Sequence, residues 1–197
     1  MFRTLFVATA FAALTFVTTP AALAQATARP CTPEETPGPA CLLASQLITA
    51  LPAHVYWQLD RFPDAASAGQ ARTAEGTVVE AFGATWLFTI ADKDWRPGGG
   101  DHVATIGPLP VAPAATYRAE YLRSIFAPGT SAPLHVHSGP EAFFAVSGDT
   151  CLETPAGVRT ALGPGNSLFV EGGPPMLLMA IGTEPRRGFA LILHDSA

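Results

Sequence analysis

The sequence is poor in charged residues, and poorest in positive ones. Charged residues make up 14% of the 197-residue chain, with 11 Lys and Arg against 16 Asp and Glu. Lys93 is its one lysine. Proteins that bind nucleic acid or anionic lipid need clusters of basic side chains to meet the phosphates. The composition therefore argues against a nucleic-acid partner and against binding to an anionic membrane surface.

The sequence also lacks any apolar stretch with the spacing of a long amphipathic helix. It contains 18 Gly and 19 Pro, which divide the apolar residues into short runs. Short runs separated by turns are typical of strands. The pattern predicts an all-β protein without internal repeats, and the length suits one domain with a substantial core.

A long apolar run that could anchor the chain in a membrane is absent from the N-terminus. Arg3 is followed by a short apolar stretch over residues 5–17 and by the small-residue pattern Ala22-Leu23-Ala24. This arrangement is typical of a cleavable secretory signal peptide. We expect residues 1–24 to be removed after Ala24, which leaves a secreted or periplasmic protein without a membrane anchor.

Cysteine is scarce, with three in the chain. Cys31 and Cys41 bracket a short Pro-rich loop, and in an oxidising compartment a disulfide between them is favoured over two separate thiols. Closing so short a loop stabilises a fold by roughly 2–3 kcal/mol in the entropic model. Cys151 has no evident partner, and a buried thiol is favoured over a catalytic one.

The apolar alternation predicts strands and one short surface helix, which Asp64 would cap at its N-terminus. The predicted helix covers 64–72, and the predicted strands cover 41–48, 55–62, 77–82, 85–90, 103–106, 117–126, 167–170, 176–181 and 189–194. Arg186 and Arg187 are interpreted as a solvated pair in the turn before the last strand.

One segment concentrates residues that bind metals. His135 and His137 are two apart, so on a strand both imidazoles would leave the same face. The bend at 138–140 would let Glu141 point back to the same place. Two His and one carboxylate form the facial triad associated with non-haem iron. These three residues are the predicted metal ligands, and a metal-free relic of such a site is the alternative.

With Gly129 and Gly148, these residues resemble the first motif of the cupin family, in which a Gly precedes His-x-His, a Glu and a second Gly at set spacings. The resemblance implies a double-stranded β-helix, or jelly-roll barrel, over 77–197. Residues 25–76 would then be an N-terminal extension of strands and a short helix carrying the Cys31–Cys41 disulfide. Cupins also pair edge to edge, which implies a homodimer, unless the N-terminal strands cover that edge.

The second cupin motif keeps its spacing from Gly165 onward but not its chemistry. Glu171 stands where the family has Pro, Met176 where it has the fourth ligand His, and Ala180 where it has Asn. The Met176 thioether would suit copper as a fourth ligand, although packing in the core is favoured. His194, in the last strand, is the other candidate for the fourth position.

Three further residues are candidates for handling a substrate. Tyr121 and Arg123 share one face of the strand that leads into the first motif. Glu171 would lie in a loop over the metal and serve as a base, or else be a solvated loop carboxylate.

The resemblance implies two classes of function. One is an exported metalloenzyme acting on a small organic molecule, such as an oxidoreductase of the dioxygenase type, an isomerase or a lyase, with one divalent transition metal: Fe, Mn, Zn or Cu. The other is a non-catalytic barrel that binds a metal or small ligand. An open cavity beside the ligands favours the enzyme, and a filled interior favours binding. The fold alone does not decide between them.

Overall fold

The computed structural model describes residues 28–33, 35–112 and 116–195. The signal peptide predicted for residues 1–24 lies outside the described residues. Within them, about half of the residues lie in strands and seven lie in one short helix. The elements are β1 (Gly38–Ile48), β2 (Tyr56–Phe62), α1 (Ala65–Ala71), β3 (Gly76–Ala81), β4 (Ala84–Ala91), β5 (Asp101–Ile106), β6 (Tyr117–Phe126), β7 (Glu141–Ser147), β8 (Asp149–Thr154), β9 (Gly157–Ala161), β10 (Ser167–Val170), β11 (Leu177–Ile181) and β12 (Arg186–Asp195).

The strands form three sheets. The central sheet has the order β1-β6-β12-β7-β10, a smaller sheet has the order β11-β8-β9, and a third has the order β3-β4-β2-β5. The central and smaller sheets are consistent with the predicted jelly roll, although the sheets do not close into a barrel. The all-β fold class is confirmed.

Alternation along β12 shows how the layers pack. Phe189, Leu191 and Leu193 belong to the core cluster that contains Trp57 and Phe88 of the four-stranded sheet. Ala190 and Ile192 belong to a second cluster, with Leu152 and Leu178 of the three-stranded sheet. Successive strand residues point to opposite faces, so the central sheet is covered on both sides. We call the space between the central and three-stranded sheets the jelly-roll interior.

The short helix forms as predicted. The side chain of Asp64 accepts a hydrogen bond from the backbone N–H of Ser67 at 2.7 Å, which caps α1. Such a cap satisfies a backbone donor that has no partner within the helix. Among the described residues, no helix combines the length and apolar character needed to cross a membrane.

The N-terminal region contains a disulfide and pairs with the central sheet. Cys31 and Cys41 form the predicted disulfide, with Cα atoms 4.8 Å apart. β1 then pairs with β6 at the edge of the central sheet. Cys151 is buried and free, as expected for a thiol that packs as a small apolar side chain.

Candidate metal centre

The two histidines lie on an irregular segment and not on a regular strand. Residues 129–135 run alongside β11 through scattered hydrogen bonds, which include His135 N–H to Met176 O (3.2 Å) and Met176 N–H to His135 O (2.9 Å). Pro133 within the segment has no N–H to donate, which prevents a continuous ladder. The expectation of a strand through both histidines is therefore wrong, although the two side chains still converge.

Glu141 reaches the same place from the central sheet. It is the first residue of β7, where it pairs with Ile192 of β12, a residue of the jelly-roll interior. The two histidines and the carboxylate thus come from opposite sides of the interior. Their ligand atoms all lie within 4.8 Å of one another. The structure brings together the three residues that the sequence predicts as metal ligands.

The cluster is buried unevenly. The side chains of His137 and Glu141 are 6% and 5% exposed, whereas that of His135 is 17% exposed. Nε2 of His135 lies 3.7 Å from Oε2 of Glu141. Nε2 of His137 lies 3.3 Å from the same oxygen. The site is therefore closed on the side of His137 and reaches solvent on the side of His135.

Several of these polar atoms have no hydrogen-bond partner. Both ring nitrogens of His137 and Oε2 of Glu141 are buried without one, so the short approach between them lacks hydrogen-bond geometry. Leaving buried polar atoms unpaired is costly, and buried charges are normally paired or bound to a metal. Two imidazoles and a carboxylate are also the donors that divalent transition metals accept. The residues present fit a metal ion.

The ring of His135 is held in the orientation that a ligand needs. Its Nδ1 lies 2.6 Å from the carbonyl oxygen of Pro133. A carbonyl only accepts hydrogen bonds, so Nδ1 carries the proton, and in the neutral ring Nε2 keeps its lone pair toward Glu141. A backbone acceptor on the second nitrogen is the usual arrangement for a histidine ligand.

The neighbouring groups shift the pKa of His135 and the pKa of Glu141. The Glu141 carboxylate raises the pKa of His135, against the opposing effect of burial. Burial alone would raise the pKa of Glu141, but the two imidazoles facing the carboxylate together outweigh it and lower that pKa. The carboxylate is therefore held in its charged form, which is the form that binds a cation.

Two glycines hold the loop that carries the ligands. A Cβ on Gly139 would lie 1.8 Å from the backbone oxygen of Leu193, and a Cβ on Gly172 would lie 2.5 Å from the Cα of Gly139. The loop is also tied down by a hydrogen bond from Gly173 N–H to His137 O at 2.8 Å. The sequence predicts Gly139 only as part of a bend, and the contact of Gly139 with β12 has no sequence signal.

Both candidates for a fourth ligand lie next to the cluster. Met176 forms a mutual backbone pair with His135, so their side chains lie on the same side, and it is fully buried among apolar residues. The His194 ring lies 5.4 Å from that of His137, centroid to centroid. His194 Nε2 also lies 3.3 Å from Oε2 of Glu120, which links this ring to a carboxylate at the edge of the site.

The residues predicted to handle substrate do not join the cluster. Tyr121 is buried in the core cluster on the other face of the central sheet, near Trp57 and Phe88. Arg123 lies on that face too, donating to Thr32 O at 2.9 Å and lying 3.6 Å from Glu35. Glu171 is exposed, in a surface groove that is also lined by Thr154, Arg159 and Phe169. Because successive strand residues alternate between faces, Tyr121 and Arg123 lie on the face of the central sheet opposite to that of Glu141.

A sequence model of the cupin domain matches residues 122–189, from β6 into β12. Three solved structures illustrate the likeness. A cupin superfamily protein from Desulfitobacterium hafniense is 17% identical, with 39% of this chain and 68% of that chain covered at a TM-score of 0.36. A cupin domain from Bordetella pertussis is 22% identical, with 39% and 82% covered at a TM-score of 0.34.

An RmlC-like cupin family protein with a double-stranded β-helix fold, from Methanocaldococcus jannaschii, is 15% identical, with 39% of this chain and 71% of that chain covered at a TM-score of 0.36. No curated protein sequence matches the chain significantly. The matched segment, residues 122–189, contains the three clustered side chains His135, His137 and Glu141. Residues 122–189 of this chain are therefore similar to the cupin domain.

Proposed function

We propose that this protein binds one divalent transition metal through His135, His137 and Glu141 and acts on a small organic molecule there. The main support for the proposal is that the cluster contains buried polar atoms without hydrogen-bond partners. Nε2 of His137 and Oε2 of Glu141 are buried without hydrogen-bond partners and lie 3.3 Å apart, in the cluster that His135 completes. A cation bound between these two atoms would satisfy both of them.

The exposure of the cluster supports a role in chemistry. A bound ion would supply Lewis acidity, or electrons in the case of iron, manganese or copper. His135 and the exposed Leu134 lie on the side that faces solvent, where a small molecule would approach. His137 and Glu141 lie on the buried side and exclude water there. We accordingly propose a metalloenzyme of the dioxygenase, isomerase or lyase type.

A non-catalytic binding protein is the second candidate, and one observation favours it. The interior beside the ligands is packed with buried apolar side chains. They include Phe143, Leu152, Met176, Leu178 and Ile192. A packed interior leaves less room for a substrate than an open cavity would, so the metal would be held and not used.

We also propose that the protein is exported. The disulfide between Cys31 and Cys41 supports this, because such bonds form and persist in oxidising compartments. The predicted signal peptide is consistent with it. An exported location would make reduced iron harder to maintain, which favours manganese, zinc or copper at the site.

Calorimetric titration with Zn²⁺ and Mn²⁺ tests the metal site. We expect one equivalent to bind to the wild type and none to the His135→Ala, His137→Ala double variant, while a His54→Ala variant, altered at an exposed histidine, binds as the wild type does. Stoichiometric binding by the double variant would rule out this site.

Replacement of the metal by Co²⁺ separates the two candidate functions. If the protein is an enzyme of the proposed type, added azide should change the visible spectrum of the cobalt protein, because a small molecule can reach the ion past His135. A spectrum that azide leaves unchanged would favour the non-catalytic candidate.

A further inference from the structure

Arg186 is a fully buried arginine, which overturns its interpretation as a solvated turn residue. Its exposure is 0%, whereas the neighbouring Arg187 has a side chain that is 41% exposed and paired with Glu35. β12 begins at Arg186, three residues earlier than predicted, so alternation turns Arg186 toward the jelly-roll interior. It lies on the same face as Ala190 and Ile192, and Ile192 pairs with Glu141 of the metal cluster.

The guanidinium of Arg186 is only partly satisfied. Its Nε donates to Thr150 Oγ1 at 2.9 Å and its Nη1 donates to Ser124 Oγ at 3.3 Å, while Nη2 is buried without a hydrogen-bond partner. Both acceptors are uncharged hydroxyls. A buried guanidinium normally meets a carboxylate or phosphate, because its forked donors match two oxygens.

The backbone leaves space for this group. A Cβ on Gly188 would lie 3.1 Å from Nη1 of Arg186, which places the guanidinium over Gly188. Gly188 pairs with Ala145 on β7, and the next residue of β12 on that face is Ala190. The guanidinium therefore extends along the sheet toward the cluster, past small side chains. Burial lowers the pKa of Arg186 to about 10, and the attraction of Glu141 opposes that change.

The balance of charge in the interior favours a further anion. Among the described residues, the buried charged side chains on this side of the central sheet are Glu141 and Arg186, with His137 beside them. Together, Glu141 and Arg186 are neutral. A divalent cation at the cluster would leave two uncompensated positive charges in a region from which water is largely excluded, and that is unfavourable without a counter-anion.

We propose that Arg186 is the anchor of an anion subsite in the jelly-roll interior, and that the small molecule bound by this protein is an organic acid. Its carboxylate would accept hydrogen bonds from Nη2 of Arg186, and the apolar side chains packed beside the metal cluster would move to admit the rest of the molecule. Ser124 and Thr150 hold the guanidinium in place through its other two nitrogens. The inference deepens the proposed function and rests on it for the charge of the metal.

The test is a titration of the metal-loaded protein with acetate at constant ionic strength, with acetamide as the uncharged counterpart. We expect saturable binding of acetate and not of acetamide to the wild type. Arg186→Met should weaken acetate binding about 10- to 100-fold, as for loss of a charged hydrogen-bond donor. The acetate affinity of Arg186→Lys should lie between those of the wild type and Arg186→Met, because lysine keeps the charge but lacks the paired donors of the guanidinium. Arg187→Met is the matched control and should bind acetate as the wild type does.

Equal affinity for acetate in the wild type and Arg186→Met would overturn the subsite. If Arg186→Met does not fold, the wild type alone decides, since an absence of saturable acetate binding or equal binding of acetamide would also overturn it. Metal content is measured on the same samples. Acetate binding through Arg186 in protein that takes up no metal would support the subsite and refute the metal centre. Bound metal without acetate binding would support the metal centre and refute the subsite.

Discussion

The chemistry of the site depends on a few residues whose polar atoms lack partners. His137 and Glu141 are buried with unpaired ligand atoms, and Pro133 O fixes the proton on the far nitrogen of His135. The sequence predicts the cluster because His135, His137 and Glu141 all lie within one short segment. Arg186 could not be predicted in the same way. Its burial depends on where β12 begins, and two adjacent arginines beside a Gly-Thr-Glu-Pro turn resemble a solvated pair.

Protons should compete with the metal at His135. The Glu141 carboxylate raises the pKa of His135 above 6.5, so the ring is protonated at pH values where a free imidazole is neutral. Metal binding requires the unprotonated ring. We expect the affinity for Zn²⁺ to fall as the pH is lowered, with the fall beginning above pH 6.5. Competition with a chelator over a pH series measures this, and an affinity that stays constant through that range would contradict it.

Met176→His should tighten metal binding, because position 176 pairs directly with His135 and an imidazole there would add a fourth donor. The metal-free variant should be less stable than the wild type by about 1–3 kcal/mol, the usual cost of an unpaired polar group in a core. Met179→His is the control, since Met179 is the partner of Cys151 and lies outside the interior cluster. If the two variants bind zinc equally, the side chain at 176 does not reach the ion.

The site depends on the loop that contains Gly139, which packs closely against the end of β12. The strands themselves follow from alternation, and most predicted strands lie within a few residues of the observed ones. The contact of Gly139 with Leu193 could not be predicted, because it joins residues from two segments whose relative position follows from the sheet order. The same holds for Tyr121 and Arg123. Alternation correctly gives them a shared face, but only the sheet stacking decides which core that face meets.

Gly139→Ala tests whether this approach positions the ligands. The added Cβ would collide with the backbone oxygen of Leu193, so the loop between His137 and Glu141 must move. We expect a loss of about 1–3 kcal/mol in the free energy of unfolding, as for overpacking, together with weakened zinc binding. Gly98→Ala is the control, because a Cβ there meets nothing within 4 Å. Unchanged zinc affinity in a folded Gly139→Ala protein would show that the loop does not position the ligands.

The N-terminal strand β1 belongs to the same central sheet as β6, β7 and β12. β1 covers the β6 edge, which supports the alternative that the N-terminal strands occupy an edge otherwise available to a second copy. The homodimer and the domain boundary after residue 76 remain predictions. Composition predicts the fold class, but the third sheet that covers the outer face of the central sheet does not follow from it, because layer order is set by contacts distant in sequence.

The disulfide should contribute to the stability of the whole fold and not to the site. It closes a loop with a sequence separation of 10 that ends at Cys41, within β1. A Cys31→Ser, Cys41→Ser variant should lose about 3 kcal/mol of unfolding free energy, mainly through the greater entropy of the unfolded chain. Denaturant unfolding measures the loss, and a reductant should destabilise the wild type but not the variant. Zinc stoichiometry should remain unchanged. A fall in stoichiometry would mean that the N-terminal region helps to form the metal centre.

Elemental analysis tests whether His135, His137 and Glu141 hold a metal ion. It is made on protein purified from its own compartment, without added metal or chelating tags. We expect about one equivalent of iron, manganese, copper or zinc per chain, and loss of that metal in the His135→Ala, His137→Ala variant. Protein that contains far less than one equivalent, and still does so after reconstitution with each of these ions, would contradict this expectation.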